Sequence, residues 1–170
     1  MNISEMIKLI LHTIRENKIM DRIQEARKKS PLGKIPQQYY LAKSKNIIDK
    51  HGERIRGLFT RKYIRKGMLL GEYRGKIFDK KILGTKKKYT QYMFSVSGKK
   101  GNIRFIIDAA NTRYSSFPKF INAPNNERYS NTEYIQVLDS ILLYSLKAIK
   151  PNTELVAWYG ENTISVINQK

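Results

Sequence analysis

Two stretches of the 170-residue sequence hold the side chains best placed to do chemistry. They are Glu154-Leu155-Val156-Ala157-Trp158-Tyr159-Gly160 and, about thirty residues earlier, Lys119-Phe120-Ile121-Asn122-Ala123-Pro124-Asn125-Asn126. A tyrosine hydroxyl has a reference pKa near 10 and is mostly neutral at pH 7, so Tyr159 suits an orienting hydrogen bond better than obligatory base catalysis. Asn122 carries both an amide donor and an acceptor, within an asparagine-rich run that also reads as a turn. Other chemistries lose their reagents: with no cysteine in the chain there is neither a disulfide framework nor a thiolate zinc site. The two histidines, His12 and His51, stand isolated from any carboxylate or serine partner and read as ordinary. No glycine-rich loop of the phosphate-binding forms is present.

Neither stretch is informative alone, and it is their order behind two glycine-marked runs, Arg56-Gly57-Leu58-Phe59 and Gly71-Glu72-Tyr73-Arg74-Gly75, that carries meaning. That order resembles the SET-domain protein lysine methyltransferases, and the ending Glu-Leu-x-x-Trp-Tyr-Gly resembles their PR-domain subset. The resemblance runs from about Arg54 to Gly160. It implies that Tyr159 stands beside the transferring methyl and the incoming nitrogen. Asn122 matches the cofactor-binding asparagine of the family's Arg-Phe-x-Asn-His-Ser motif, with Lys119 in place of the arginine and Ala123 in place of the histidine. Tyr92, in Tyr92-Met93-Phe94, matches the aromatic that lines both cofactor and lysine channel.

The resemblance thus implies Tyr159 and Tyr92 as catalytic residues. It implies Arg54, Ile55, Arg56, Gly57, Tyr92, Asn122 and Ala123 as the cofactor site, with S-adenosylmethionine as cofactor and no metal. Where the family has Gly-x-Gly, this chain has Ile55-Arg56-Gly57; a β-branched Ile55 does not readily take positive φ, so the loop must be built without that freedom. Tyr73, Tyr114 and Tyr144 are weaker candidates for channel or adenine contacts, each also readable as core.

The elements that must position these residues are legible from texture. Ile3, Ile7, Ile10 and Ile14, widened by Met6 and Leu11 and continued by Ile19, Met20, Ile23 and Ala26, recur at helical spacing. Asn2 and Glu5 have the form of a capping box, and Lys28, Lys29, Pro31 and Gly33 stop the helix. Its apolar stripe is expected to pack on the domain that follows. Pro31 to Gly52 reads as a helical or irregular connector, stapled to the domain by Tyr39-Tyr40-Leu41.

From Arg54 onward come short runs rich in β-branched and aromatic residues: 57–60, 68–73, 76–78, 92–96, 103–108, 133–138, 141–146 and 155–157. Asp139-Ser140 is the expected tight turn between two of them. The predicted fold is therefore a mainly β domain of several small sheets, which the resemblance makes a β-clip SET-type domain, with an added N-terminal helical segment. Its divisions are an N-terminal helix and connector over 1–52, the SET-like domain over 53–161, and a short tail over 162–170.

Charge supplies a separate signal. With 33 Lys and Arg against 14 Asp and Glu, the net charge is +19. Residues 51–107 hold 16 basic and 3 acidic side chains, whereas 108–170 hold 6 of each. Such a surface attracts polyanions, and it also reads as a solvated face in a lysine-biased sequence. Contact with DNA is one expectation, with Lys86-Lys87-Lys88 as an exposed basic loop tip. No apolar run approaches a membrane span, and the N-terminus does not read as a signal peptide, so an intracellular protein is expected; the resemblance implies a nuclear or chromatin-associated one. The sequence fixes no oligomeric state.

The function these readings imply is S-adenosylmethionine-dependent N-methylation of lysine in a histone or another protein. The competing reading is a non-catalytic SET-like module that binds nucleic acid or chromatin through its basic surface.

Overall fold

The computed structural model describes residues 3–49, 51–82, 90–98 and 100–159. The amino-terminal periodicity becomes helix α1, Ile3–Lys29. Its last turn closes with Ser30 N–H donating to Ala26 O at 3.1 Å, and Gly33 then takes the left-handed φ of +69° that lets the chain leave the helix axis. The capping box expected at Asn2 lies outside the described residues. Ile19, Ile23 and Ala26 pack on the sheet below, but Ile14 and Met20 are 44% and 43% exposed, so the apolar stripe is only partly covered by the domain. His12 does have a carboxylate partner, contrary to expectation: one helical turn on, Glu16 Oε1 lies 3.2 Å from its Nε2. Both side chains are largely exposed, and the pair acts as a surface i,i+4 contact.

The segment read as a connector instead contains strand β1, Tyr39–Ile48. It pairs antiparallel with β2, Arg54–Thr60, from Tyr39↔Thr60 to Lys43↔Arg56. Its period-two signal is hidden in sequence because the inward position between exposed Lys43 and Lys45 is a polar residue, the fully buried Ser44. Tyr39 does staple the segment, stacking on Phe117 with ring centroids 4.6 Å apart.

The remaining strands are β3 (Leu69–Tyr73), β4 (Lys76–Asp79), β5 (Met93–Ser97), β6 (Ile103–Asp108), β7 (Thr132–Val137), β8 (Ser140–Ser145) and β9 (Glu154–Leu155). Among the described residues the strands form three antiparallel three-stranded sheets in the orders β1-β2-β9, β3-β8-β7 and β4-β6-β5. The β7–β8 hairpin turns one residue earlier than expected. Val137 pairs with Ser140, leaving Leu138 and Asp139 at the turn, with Leu138 at φ 53°.

The largest apolar cluster joins Tyr39, Leu58, Leu70, Phe117, Leu143 and Leu155 between sheets; a second gathers Tyr73, Val96, Ile107 and Ile141. Sheet β3-β8-β7 carries α1 on one face, fixed where Ser30 Oγ donates to Ala26 O at 2.6 Å and accepts from Glu72 N–H at 2.9 Å. Arg27 Nε reaches the buried Glu72 carboxylate at 2.9 Å.

Candidate active site

The site is built where the carboxy-terminal segment passes between two stretches that precede it. On one side, Ala157 N–H donates to Asn122 O at 3.0 Å, and Asn122 and Val156 form a parallel bridge. On the other side, Asn131 N–H and Thr132 N–H both donate to Val156 O, at 3.1 and 3.0 Å. Asn131 adds a side-chain clamp, its Nδ2 donating to Glu154 O at 2.7 Å while its Oδ1 accepts from Val156 N–H at 2.9 Å. Pairing of Phe59 with Glu154 and Leu58 with Leu155 holds a third edge. A segment fixed on three sides leaves little freedom to the residues that follow it, Trp158 and Tyr159.

Glu154 is the hub of the polar half. Its Oε2 accepts from Ser44 Oγ at 2.6 Å and its Oε1 from Asn122 Nδ2 at 3.1 Å. The same Asn122 amide donates to Arg56 O at 3.0 Å. Gly57 lies directly beneath: a Cβ there would stand 2.0 Å from Glu154 Oε1 and 2.9 Å from Asn122 Nδ2, so only glycine admits this approach. Arg56, Gly57 and Asn122, expected together, are therefore together. Ile55 lies within β2 and has no positive φ, so the expected cofactor loop is a strand segment here. Arg54 is exposed, with Ile48 as its strand partner, and makes no side-chain contact with this cluster among the described residues. Ala123 follows Asn122 half-buried.

The aromatic half centres on Tyr159. Its hydroxyl donates to Ile121 O, and its ring lies 6.0 Å from that of Tyr134. Burial, and secondarily Tyr92, pushes its pKa well above the usual phenol value, so the hydroxyl is neutral across the physiological range. Tyr134 packs edge-on to Tyr73 and Phe94, at 5.7 and 5.6 Å, and donates to Pro118 O at 2.7 Å. Tyr73 OH donates to Tyr92 O at 2.7 Å, which ties Tyr92 to the cluster through its backbone. Burial raises the pKa of Tyr73 and Tyr134 too. Of the weaker candidates, Tyr73 thus borders the site. Tyr114 is 50% exposed, and Tyr144 packs under α1 with Ile19 and Val137. Gly160 lies outside the described residues.

Lys119 is buried and supports the floor. Its Nζ donates to Ala109 O, Ala110 O and Thr112 Oγ1 at 3.0, 3.2 and 2.9 Å, and lies 5.3 Å from the Tyr92 ring centroid. Burial pulls its pKa down while Asp108 opposes the shift. These bonds tie residues 109–112 to the 3₁₀ turn Phe117–Phe120, which leads straight into Ile121 and Asn122.

Sequence reasoning missed roles for Ser44, Glu154, Asn131, Tyr134 and Lys119. Glu154 and Lys119 stand inside the quoted motifs, so a signal existed for them. Ser44 lies about a hundred residues away in sequence and carried none.

The donor set suits S-adenosylmethionine. The Asn122 amide spends its N–H groups on Arg56 and Glu154, which leaves its Oδ1 to accept from an ammonium. The Glu154 carboxylate favours a cationic ligand, and Tyr92 and Tyr159 offer aromatic faces.

Comparison with known proteins bears on the family and the fold. A family model described as PR domain zinc finger protein 2, PR domain, matches residues 44–170. The histone-lysine N-methyltransferase set-17 of Caenorhabditis elegans is 31% identical over 106 residues, covering 62% of this chain and 36% of that protein. The chain therefore spans about a third of the length of that relative. The methyltransferase domain of human PR domain-containing protein 2 superposes with a TM-score of 0.58 at 22% identity, over 76% of this chain and 81% of that one. The SET domain of the RIZ1 tumor suppressor (PRDM2) gives 0.54 at 21% identity, over 85% and 80%. These two likenesses show the fold, a SET-type arrangement of small sheets.

Proposed function

The chain belongs to the PR-domain family of SET-like proteins, and from that premise we propose that it is an S-adenosylmethionine-dependent protein-lysine N-methyltransferase acting on a histone. The observation that carries this reading is the placement of Tyr159: a buried, neutral hydroxyl on Ile121 O, one residue from Asn122. The histone is proposed from the name of the relative set-17, and a nuclear or chromatin location goes with it.

When bound, S-adenosylmethionine supplies an electrophilic methyl group on a sulfonium. The chain's own part is alignment, exclusion of water and fixed oxygen dipoles. By donating to Ile121 O, the Tyr159 hydroxyl has the position of its hydrogen fixed. Raising the phenol pKa keeps that oxygen neutral, so it orients the amine without abstracting a proton. Tyr134, Tyr73 and Phe94 pack behind it and hold water away from that side. Lysine must arrive without its proton, and an apolar, cation-bearing channel lowers its pKa.

A second reading, a non-catalytic module, draws on the strand geometry at Ile55 and on Ala123 where the family's motif has histidine. Calorimetric titration with S-adenosylmethionine separates the two. The enzyme reading expects saturable heat and, at a hundred times Kd, about 2.7 kcal/mol of added stability, with Asn122→Ala weakening binding at least tenfold. Neither heat nor a shift in melting temperature at saturating ligand would reject it.

A further inference from the structure

Outside the site, the clearest feature without a role is a cluster of like charge. Two turns meet at an isolated antiparallel bridge between Ile64 and Ile149, where each backbone N–H donates to the other's carbonyl at 2.9 Å. Both isoleucines are buried in the main core. Around them Arg61, Lys62, Arg65 and Lys66 on the first turn, and Lys147 and Lys150 on the second, are all exposed. Residues 61–68 and 146–153 contain no Asp or Glu.

None of these cations forms an ion pair among the described residues. Arg61 lies 4.6 Å from the Tyr40 ring centroid, and Lys147 Nζ reaches only a backbone carbonyl, Arg128 O, at 3.5 Å. The turns are also pinned. Gly67 N–H donates to Ser145 O at 2.8 Å, Ser145 Oγ to Arg65 O at 2.7 Å, and Asn152 N–H to Thr60 O at 2.6 Å. Like charges held on pinned backbone repel one another, and an approaching polyanion relieves that cost.

We propose that this paired-turn surface binds the phosphate backbone of duplex DNA. A lone phosphate or an acidic side chain would meet one or two of these cations, whereas a phosphate backbone can engage cations on both turns at once. Duplex is favoured over single strand because single-strand sites stack successive bases on successive open rings. Here residues 61–68 and 146–153 hold a single aromatic ring, Tyr63, which is 58% exposed. The surface begins just past Thr60, at the end of β2 away from Arg54 and roughly 13 Å along the strand from Gly57. It uses no residue of the candidate active site, and the inference does not depend on methyl transfer.

The test is fluorescence anisotropy of a short labelled duplex titrated with the full chain from roughly 50 to 200 mM salt. The logarithm of affinity should fall linearly against that of salt with a slope of about −4 to −6. Lys62→Gln/Lys66→Gln/Lys150→Gln should reduce that slope by about three. The control Lys28→Gln/Lys34→Gln/Lys100→Gln, which removes equal charge outside the surface, should change it by less than one. If the first triple variant fails to fold, its single substitutions should each remove about one unit.

Absence of binding by the wild type at low salt overturns the proposal, as does an equal loss in both triple variants. Tighter binding of single strand that is lost in Tyr63→Ala overturns duplex as the occupant.

Discussion

At Gly57 the missing side chain is what allows the site to form, because Glu154 and Asn122 occupy the space a Cβ would need. Gly57→Ala should push the Glu154 carboxylate away from Ser44 and Asn122, cost about 1–3 kcal/mol and weaken S-adenosylmethionine binding at least tenfold. Melting curves and titration check this, and an unchanged variant in both would contradict the packing. Tyr39 gives a pH-dependent counterpart. Burial pushes its hydroxyl up to about 12 from an ordinary 10. Between those values the unfolded chain loses the proton and the folded chain keeps it, so this stabilisation is complete below pH 10 and is lost as pH rises toward 12. The decline should reach about 2–3 kcal/mol. Tyr39→Phe, which keeps the stack on Phe117, should flatten that part of a plot of melting temperature against pH; an equally steep fall would place its cause in other groups. Motif order marks Asn122, Tyr92 and Tyr159 in the sequence, and the structure places Asn122 and Tyr159 about the threaded segment. Ser44 carries no such mark, because a serine between two lysines looks solvated until Glu154 arrives beside it.

Among the elements, α1 was the easiest to read and its docking the hardest. Period 3.6 is written in its isoleucines, but periodicity states which residues share a face and not how much of that face is covered. The covering is local to the last turns. Ile23 is 3% exposed against Leu69 and Leu142, while Ile14 is 44% exposed. Ile23→Ala should therefore cost about 2–4 kcal/mol and Ile14→Ala less than about 0.5 kcal/mol, measured by denaturant unfolding. Similar losses at the two positions would mean that α1 is covered along its length. β1 was misread as a connector for the same reason Ser44 was missed: a polar inward position breaks the alternation on which strand reading depends. The run Ile103–Asp108, β-branched or aromatic apart from Arg104 and Asp108, matches its strand to the residue.

For the whole molecule, three small antiparallel sheets do not enclose the site; the carboxy-terminal segment completes it by passing between residues 121–123 and 131–132. The small-sheet architecture follows from many short runs rich in β-branched and aromatic residues. The threading could not follow from them, because contacts between residues so far apart in sequence leave no local periodicity. The parallel bridges of Asn122 with Val156 and of Thr132 with Ala157 are what hold it. The central claim is that this threaded segment presents Tyr159 for methyl transfer to lysine. Its most direct test is the transfer of radiolabelled methyl from S-adenosylmethionine to core histones, with wild type and Tyr159→Phe compared at equal concentration and equal melting temperature. The account predicts lysine-bound label with wild type, and a rate lower on the order of a hundredfold in the variant, which keeps the ring and loses only the positioned oxygen. Label transferred equally by both, or by neither while the cofactor binds, would contradict it.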